Sequence, residues 1–200
     1  MIHEPLTPQG VKDRRLSEIA SRQQLRLAFL RWAIVTVPLI LLLGFTSARI
    51  APAGSQNRWY AMLAKPAANP PDWVFPVAWT TLYILMGLAL AMVLHARGSR
   101  LRGPAIALFA VQLLVNLVWS PLFFGMHQVG WALVVIALMF VLALATTLAF
   151  GRVRPVAAWL MVPYLAWVAF AGLLLFQIDR LNPHAETIAP SSASTQVISL

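Results

Sequence analysis

Between Trp73 and Ile178 the chain carries no Asp or Glu, and apolar residues run in long unbroken stretches. Five such stretches lie at about 28–49, 75–94, 104–124, 129–150 and 156–178. Each is about 20 residues or longer, and at about 1.5 Å per residue a helix of that length crosses a hydrocarbon core of about 30 Å. Composition agrees: 60% of the chain is hydrophobic and 10% charged, with mean hydropathy +0.76. A soluble domain carries about 25% charged residues, so the solvent for most of this surface is lipid. The sequence therefore predicts an all-α polytopic membrane protein, a five-transmembrane-helix bundle over about 28–182. Pro38 falls inside the first stretch; neighbouring helices in a membrane can re-satisfy the carbonyl that a proline frees. Cysteine is absent, which excludes a disulfide framework and thiolate metal sites.

The net charge of +9 would suggest nucleic acid in a soluble protein. Here its distribution reads as membrane topology, and no nucleic-acid partner is expected. Lys12, Arg14, Arg15, Arg22 and Arg26 lie in a basic N-terminal arm, residues 1–27. Arg97, Arg100 and Arg102 follow the second stretch, and Arg152 and Arg154 follow the fourth. The connection between the third and fourth has no Lys or Arg. The positive-inside rule then puts the N-terminus in the cytoplasm of a bacterial-type membrane and the C-terminus outside. The arm itself reads either as an amphipathic helix on anionic lipid, with Leu16, Ile19, Gln23 and Leu27 on one face, or as a solvated tail. It is too long for a signal peptide, so the first stretch is expected to be retained. The first loop, with Arg49, Arg58 and Lys65, is the charged exception outside. Residues 183–200 turn to Ser, Thr, Ala and Pro and are expected to be a disordered tail.

The missing intramembrane carboxylates argue against an ion-coupled transporter, against paired-acid catalysis and against a hard-metal site. His95 and His127 fall at segment ends as interfacial residues, and no metal or required cofactor is expected. The few polar groups inside the membrane cluster. Gln112 and Asn116 share one helical face, which continues through Trp119, Ser120 and Phe123. Trp79, Tyr83 and Met86 line up on the second stretch; Tyr164, Trp167, Ala171 and Leu174 line up on the fifth. Aromatic stripes with a few hydrogen-bonding groups are the make-up of a small-molecule site. The same stripes equally suit helix packing, and Trp32, Trp131 and Trp159, near segment ends, read as an interfacial belt.

The stretch from Trp59 to Tyr83 is the most specific. Pro66, Pro70 and Pro71 cannot sit in a helix interior, so a rigid loop is expected there, with Asp72 placed to cap the helix that follows. Trp59-Tyr60, Lys65-Pro66, Pro70-Pro71, Trp73-Val74, Trp79 and Leu82-Tyr83 together resemble the signature of the tryptophan-rich sensory protein family, TspO/MBR, which includes the mitochondrial translocator protein or peripheral-type benzodiazepine receptor. The similarity continues through Asn116, the Trp119-x-Pro121-x-Phe123-Phe124-Gly125 run, Gln128, Gly130-Trp131-Ala132-Leu133 and Pro163-Tyr164-Leu165-Ala166-Trp167. It departs at Ala68, where the family has an aromatic lid residue, and at Leu175, a commonly polar family position. The sterol pattern ascribed to animal members is incomplete, with Phe176 between Leu174 and Arg180, and sterol binding is not expected.

The resemblance implies a membrane sensor or regulator that binds porphyrin, or another planar apolar molecule, in a cavity closed by the 59–71 loop. The implied ligand residues are Trp59, Lys65, Trp79, Tyr83, Asn116, Trp119, Phe123, Tyr164, Trp167 and Ala171. Arg58, Lys65 and Asn116 are candidates for holding the ligand's propionates. The alternatives implied are light- and oxygen-dependent porphyrin degradation, with Trp79 and Trp167 as catalytic candidates, or carriage of tetrapyrrole or lipid across the membrane. Besides membrane lipid, a second copy of the chain is an expected partner, since Gly87 with Ala91, and Ala107 with Ala110, offer small surfaces for helix approach. The charge alternation makes one expectation concrete: a topology reporter fused at Arg100 should be active only in the cytoplasm. Activity on the outside would overturn the orientation.

Overall fold

The computed structural model describes residues 22–50 and 53–188. Among the described residues six α-helices follow one another: α1 (Arg22–Ile50), a short α2 (Arg58–Met62), α3 (Val74–His95), α4 (Arg102–Ser120), α5 (Val129–Val153) and α6 (Pro155–Leu181). The five long ones are each apolar and long enough to span a membrane, as the sequence predicts. They close into a ring: α1 packs on α3, α3 on α6, α6 on α5, α5 on α4, and α4 back on α1. The basic turns after α3 and α5 share one end. The 53–73 loop, the α4–α5 turn and the segment after α6 meet at the other.

Prolines set the local irregularities. Pro76 and Pro155 lie in first turns, where an N–H would have no helical partner. Pro121 ends α4 and leaves the Leu117 carbonyl without its N–H donor four residues on. The Ser47 hydroxyl of α1 donates to that carbonyl instead. The chain then widens into one π-helical turn, Pro121–Gly125, closed by Met126 N–H to Pro121 O at 2.9 Å.

The tightest helix contact is α1 on α3. A Cβ built on Gly87 would stand 2.7 Å from Val37 Cα, and the Thr36 hydroxyl lies 2.8 Å from Gly87 O. Gly87 and Ala91 are both buried inside the chain, so this pair is not a surface for a second copy. The approach of α1 has used it. Ala107 and Ala110 remain on the exposed face of α4.

Two further expectations change. Asp72 does not cap α3. Its carboxylate reaches back to accept the Ser55 N–H at 2.9 Å, because the loop brings Ser55 closer than the helix's first amides. The expected tail from 183 begins with structure. Residues Ala185–Thr187 form a 3₁₀ turn with Ala185 buried, because Trp59 and Gly130 supply donors for its polar groups. The N-terminal arm up to residue 21 and residues 189–200 lie outside the described residues.

Since Gly87 meets backbone rather than a movable side-chain tip, Gly87→Ala should force α1 and α3 apart. A loss of about 1–3 kcal/mol is expected, measurable by unfolding in mixed micelles. Unchanged stability would show that the contact is looser than described.

Candidate functional site

The loop between α1 and α3 is a roof rather than a free connection. Asn57 caps α2 by accepting the Tyr60 N–H at 3.0 Å, while its amide donates to Phe124 O at 2.8 Å. Trp59 is buried, stacks on His127 and donates its indole N–H to Ala185 O at 2.8 Å. The Asn182 side chain pairs with both backbone groups of Ala64, each at 2.9 Å. Glu186 accepts the Gly130 N–H at 2.9 Å, placing a carboxylate at the start of α5. Gly54, at φ 71°, makes the turn that brings Asp72 against the loop.

Under this roof lies a cavity of about 440 Å³ between α1, α3 and α4. Phe45, Trp73, Phe75, Trp79, Trp119 and Phe124 form its walls. Tyr83 and Asn116 lie at its inner end, and Ser55, Gln56 and Asp72 come from the roof. Tyr83 fits because residue 44 of α1 is glycine. A Cβ there would overlap the Tyr83 ring.

The polar floor is a relay of buried hydrogen bonds. The Tyr83 hydroxyl donates to Asn116 Oδ1 at 3.2 Å. Asn116 Nδ2 donates to the Tyr164 hydroxyl at 3.1 Å and toward Met139 Sδ at 3.4 Å. One asparagine thereby joins α3, α4, α5 and α6. One turn away, Gln112 is fully buried with both amide atoms unpartnered among the described residues. At the roof, hydrogen bonds from the Ser55 hydroxyl and backbone, with a lesser attraction from Lys65, hold the Asp72 carboxyl below its usual range against a small burial cost.

Of the residues expected to bind ligand, Trp79, Tyr83, Asn116 and Trp119 line the cavity. Phe123 and Tyr164 stand behind the walls, buried at 2% and 0% exposure. Phe123 stacks on Trp119, and Tyr164 holds Asn116. Trp59 is a roof anchor. Lys65 folds back over the Tyr60 ring at 4.7 Å, and Arg58 is exposed and off the lining. Neither Lys65 nor Arg58 is on the lining, although Lys65 still attracts the Asp72 carboxylate at the roof. α2 buries Trp59 and Tyr60 instead. Ala171 is half-buried in α6, away from the lining.

Trp167 also lies apart from Trp79. It lines a second, shallower groove with Ala78, Thr81, Leu82, Pro163, Ala166 and Phe170. At about 100° per residue, the α3 positions that meet this groove are turned roughly 120° from Trp79 and Tyr83. Phe75 stands between the two sites, its ring centroid 6.0 Å from that of Trp167. Sequence reasoning missed Asp72 as a lining residue, Gly44 and Ser47 on α1, and the roof fasteners Asn57 and Asn182. Only Asn57, three residues before the N–H it caps, carried a legible signal. Among the described residues no three His, Asp or Glu side chains gather as a metal site.

A ring of five membrane helices enclosing an aromatic cavity beneath a folded loop defines the class: a multi-pass integral membrane protein with an internal small-molecule-sized site. The chain belongs to the TspO/MBR family, whose model matches residues 34–181. It is 45% identical over 148 residues to the tryptophan-rich protein TspO of Chlorobaculum tepidum, covering 74% of this chain and 93% of that one. It is 44% identical over 147 residues to the tryptophan-rich sensory protein of Cereibacter sphaeroides, covering 71% and 91%. It is 44% identical over 141 residues to the translocator protein of Bos taurus, covering 70% and 83%.

The relay can be tested by substitution. Asn116→Leu strands the Tyr83 hydroxyl and should cost about 1–3 kcal/mol. Adding Tyr83→Phe and Tyr164→Phe should recover much of this, since apolar groups on both sides of a lost hydrogen bond are nearly neutral. Micellar unfolding of the single and triple variants measures both. A triple variant less stable than Asn116→Leu would show that the hydroxyls have other partners.

Proposed function

We propose that the protein is a membrane sensor that binds a planar aromatic ligand of the tetrapyrrole class in the cavity under the 53–73 loop. The observation that carries this is the lining: seven aromatic rings around about 440 Å³, with the Tyr83 hydroxyl and Asn116 amide at the inner end. Apolar walls with a few fixed polar groups suit a flat, largely apolar molecule. A sensory role is supported by the name of the Cereibacter relative, and the family match covers the residues of the cavity. The geometry favours binding over photo-oxidative breakdown that uses two tryptophans on one ligand. Trp79 faces the cavity, and Trp167 faces the other groove.

Stacking an aromatic ring on a side chain contributes roughly 1–3 kcal/mol by alanine substitution, and 1.4 kcal/mol is tenfold in affinity. Trp79→Ala and Trp119→Ala should therefore each weaken porphyrin binding by about tenfold or more in a fluorescence titration. Trp131→Ala, 63% exposed on α5, should leave binding unchanged, and Trp167→Ala should weaken it less than Trp79→Ala. A loss for Trp131→Ala or Trp167→Ala as large as that for Trp79→Ala would place the ligand elsewhere.

A further inference from the structure

We infer that the Ser120 hydroxyl is a hydrogen-bond donor to the ligand. At the roof end of the cavity it holds an oxygen on the ligand's edge, a carbonyl or carboxyl, and so favours edges that carry one. This rests on the cavity being a ligand site, and it names a residue of that site that sets which edge is held. Ser120 lies on the lining beside Trp119, half-buried, at the start of the π-helical turn. A hydroxyl on a membrane helix ordinarily gives its proton to a carbonyl of the protein, since lipid offers no acceptor. The buried hydroxyls of this bundle do so. Thr36 donates to Gly87 O, Ser47 to Leu117 O, Thr146 to Leu142 O and Thr147 to Ala143 O. Ser120 makes no capping bond, and its proton is uncommitted among the described residues.

The carbonyl that Pro121 leaves open nearby, Leu117 O, is already taken by Ser47. The polar neighbours of Ser120 on α4 and at the floor are committed too. The Tyr83 proton goes to Asn116, the Asn116 amide to Tyr164 and Met139, and the Trp119 indole N–H to Ala132 O at 3.2 Å. Ser120 thus offers a donor one turn, about 5.4 Å, above Asn116 on the same wall. A ligand oxygen brought there loses water and gains this bond, whereas an alkyl edge leaves the hydroxyl without a partner. Charged edges also feel Asp72 on the lining, Lys65 that attracts it, and Arg49, exposed beside the lining residue Ala48. The contribution of Ser120 is therefore read with uncharged ligands.

The test uses the full chain in an uncharged detergent and two porphyrins that share one macrocycle. One carries methyl-ester side chains and the other alkyl side chains only. Quenching of tryptophan fluorescence reads the affinity of each. Ser120→Ala should weaken the ester form about fivefold, the loss of about one hydrogen bond, and leave the alkyl form unchanged. Ser120→Thr keeps a hydroxyl, so the ratio of the two affinities should stay at its wild-type value even where the added methyl weakens both. If Ser120→Ala changes both porphyrins equally, or neither, the inference is overturned while the tetrapyrrole reading stands. A ratio in Ser120→Thr that falls as far as in Ser120→Ala overturns it as well. Binding of neither porphyrin to wild type overturns the tetrapyrrole reading and this inference with it.

Discussion

A backbone carbonyl inside a bilayer has no water to turn to, and much of this structure follows from that constraint. Pro121 removes one donor from α4, and Ser47 of α1 supplies another. The exchange pins α1 to the end of α4 where the chain widens into its π-helical turn. That turn redirects Phe123 and Phe124 inward, and they become the buried aromatic support on which Trp59, Tyr60 and Trp119 rest. The same rule acts on side chains. Asn116 brings an amide into the apolar interior, and two tyrosines and a methionine from three other helices answer it. The cavity is the space left between these two fixed points, the proline turn and the asparagine relay.

Glycine then decides where the walls stand. Gly87 lets α1 approach α3 to backbone contact at Val37, and about two turns further along α1, Gly44 gives up its side-chain volume to the Tyr83 ring. Without the first, the helices would splay; without the second, Tyr83 could not reach Asn116. Roof and floor are thus built from different physics: hydrogen bonds among loop segments above, steric fit and a buried relay below.

The sequence made the membrane architecture legible because it is written in stretches of about 20 residues, and the five helices lie where the apolar stretches do. The cavity's inner end was legible for a related reason. Asn116 is a polar residue in an apolar run, and Tyr83 and Trp79 lie on one helical stripe. What a stripe does not give is the direction it faces. Trp79 and Trp167 look equivalent in sequence, yet α3 turns its Trp79 side to α1 and α4 and offers Ala78, Thr81 and Leu82 to Trp167. Gly87 and Ala91 read as surface for the same reason. Asp72 lines the cavity instead of capping α3, and Lys65 lies off the lining, because loop residues are placed by partners distant in sequence, such as Ser55 for Asp72. Residues 183–188 were hidden in polar composition, since the groups that order them, Trp59 and Gly130, lie far away in the chain.

The fastening of the roof has a mechanical consequence. Asn57 ties it to the α4–α5 turn, Asn182 ties it to the end of α6, and Ala185 and Glu186 carry the tie on to Trp59 and the start of α5. These bonds share one short span of chain and bear on the ends of three different helices. Lifting the roof at any one fastener loads the others, so the covering behaves as a buckle, which holds as a unit and releases as one. Opening the covering by that route would break bonds at the ends of α4, α5 and α6 together.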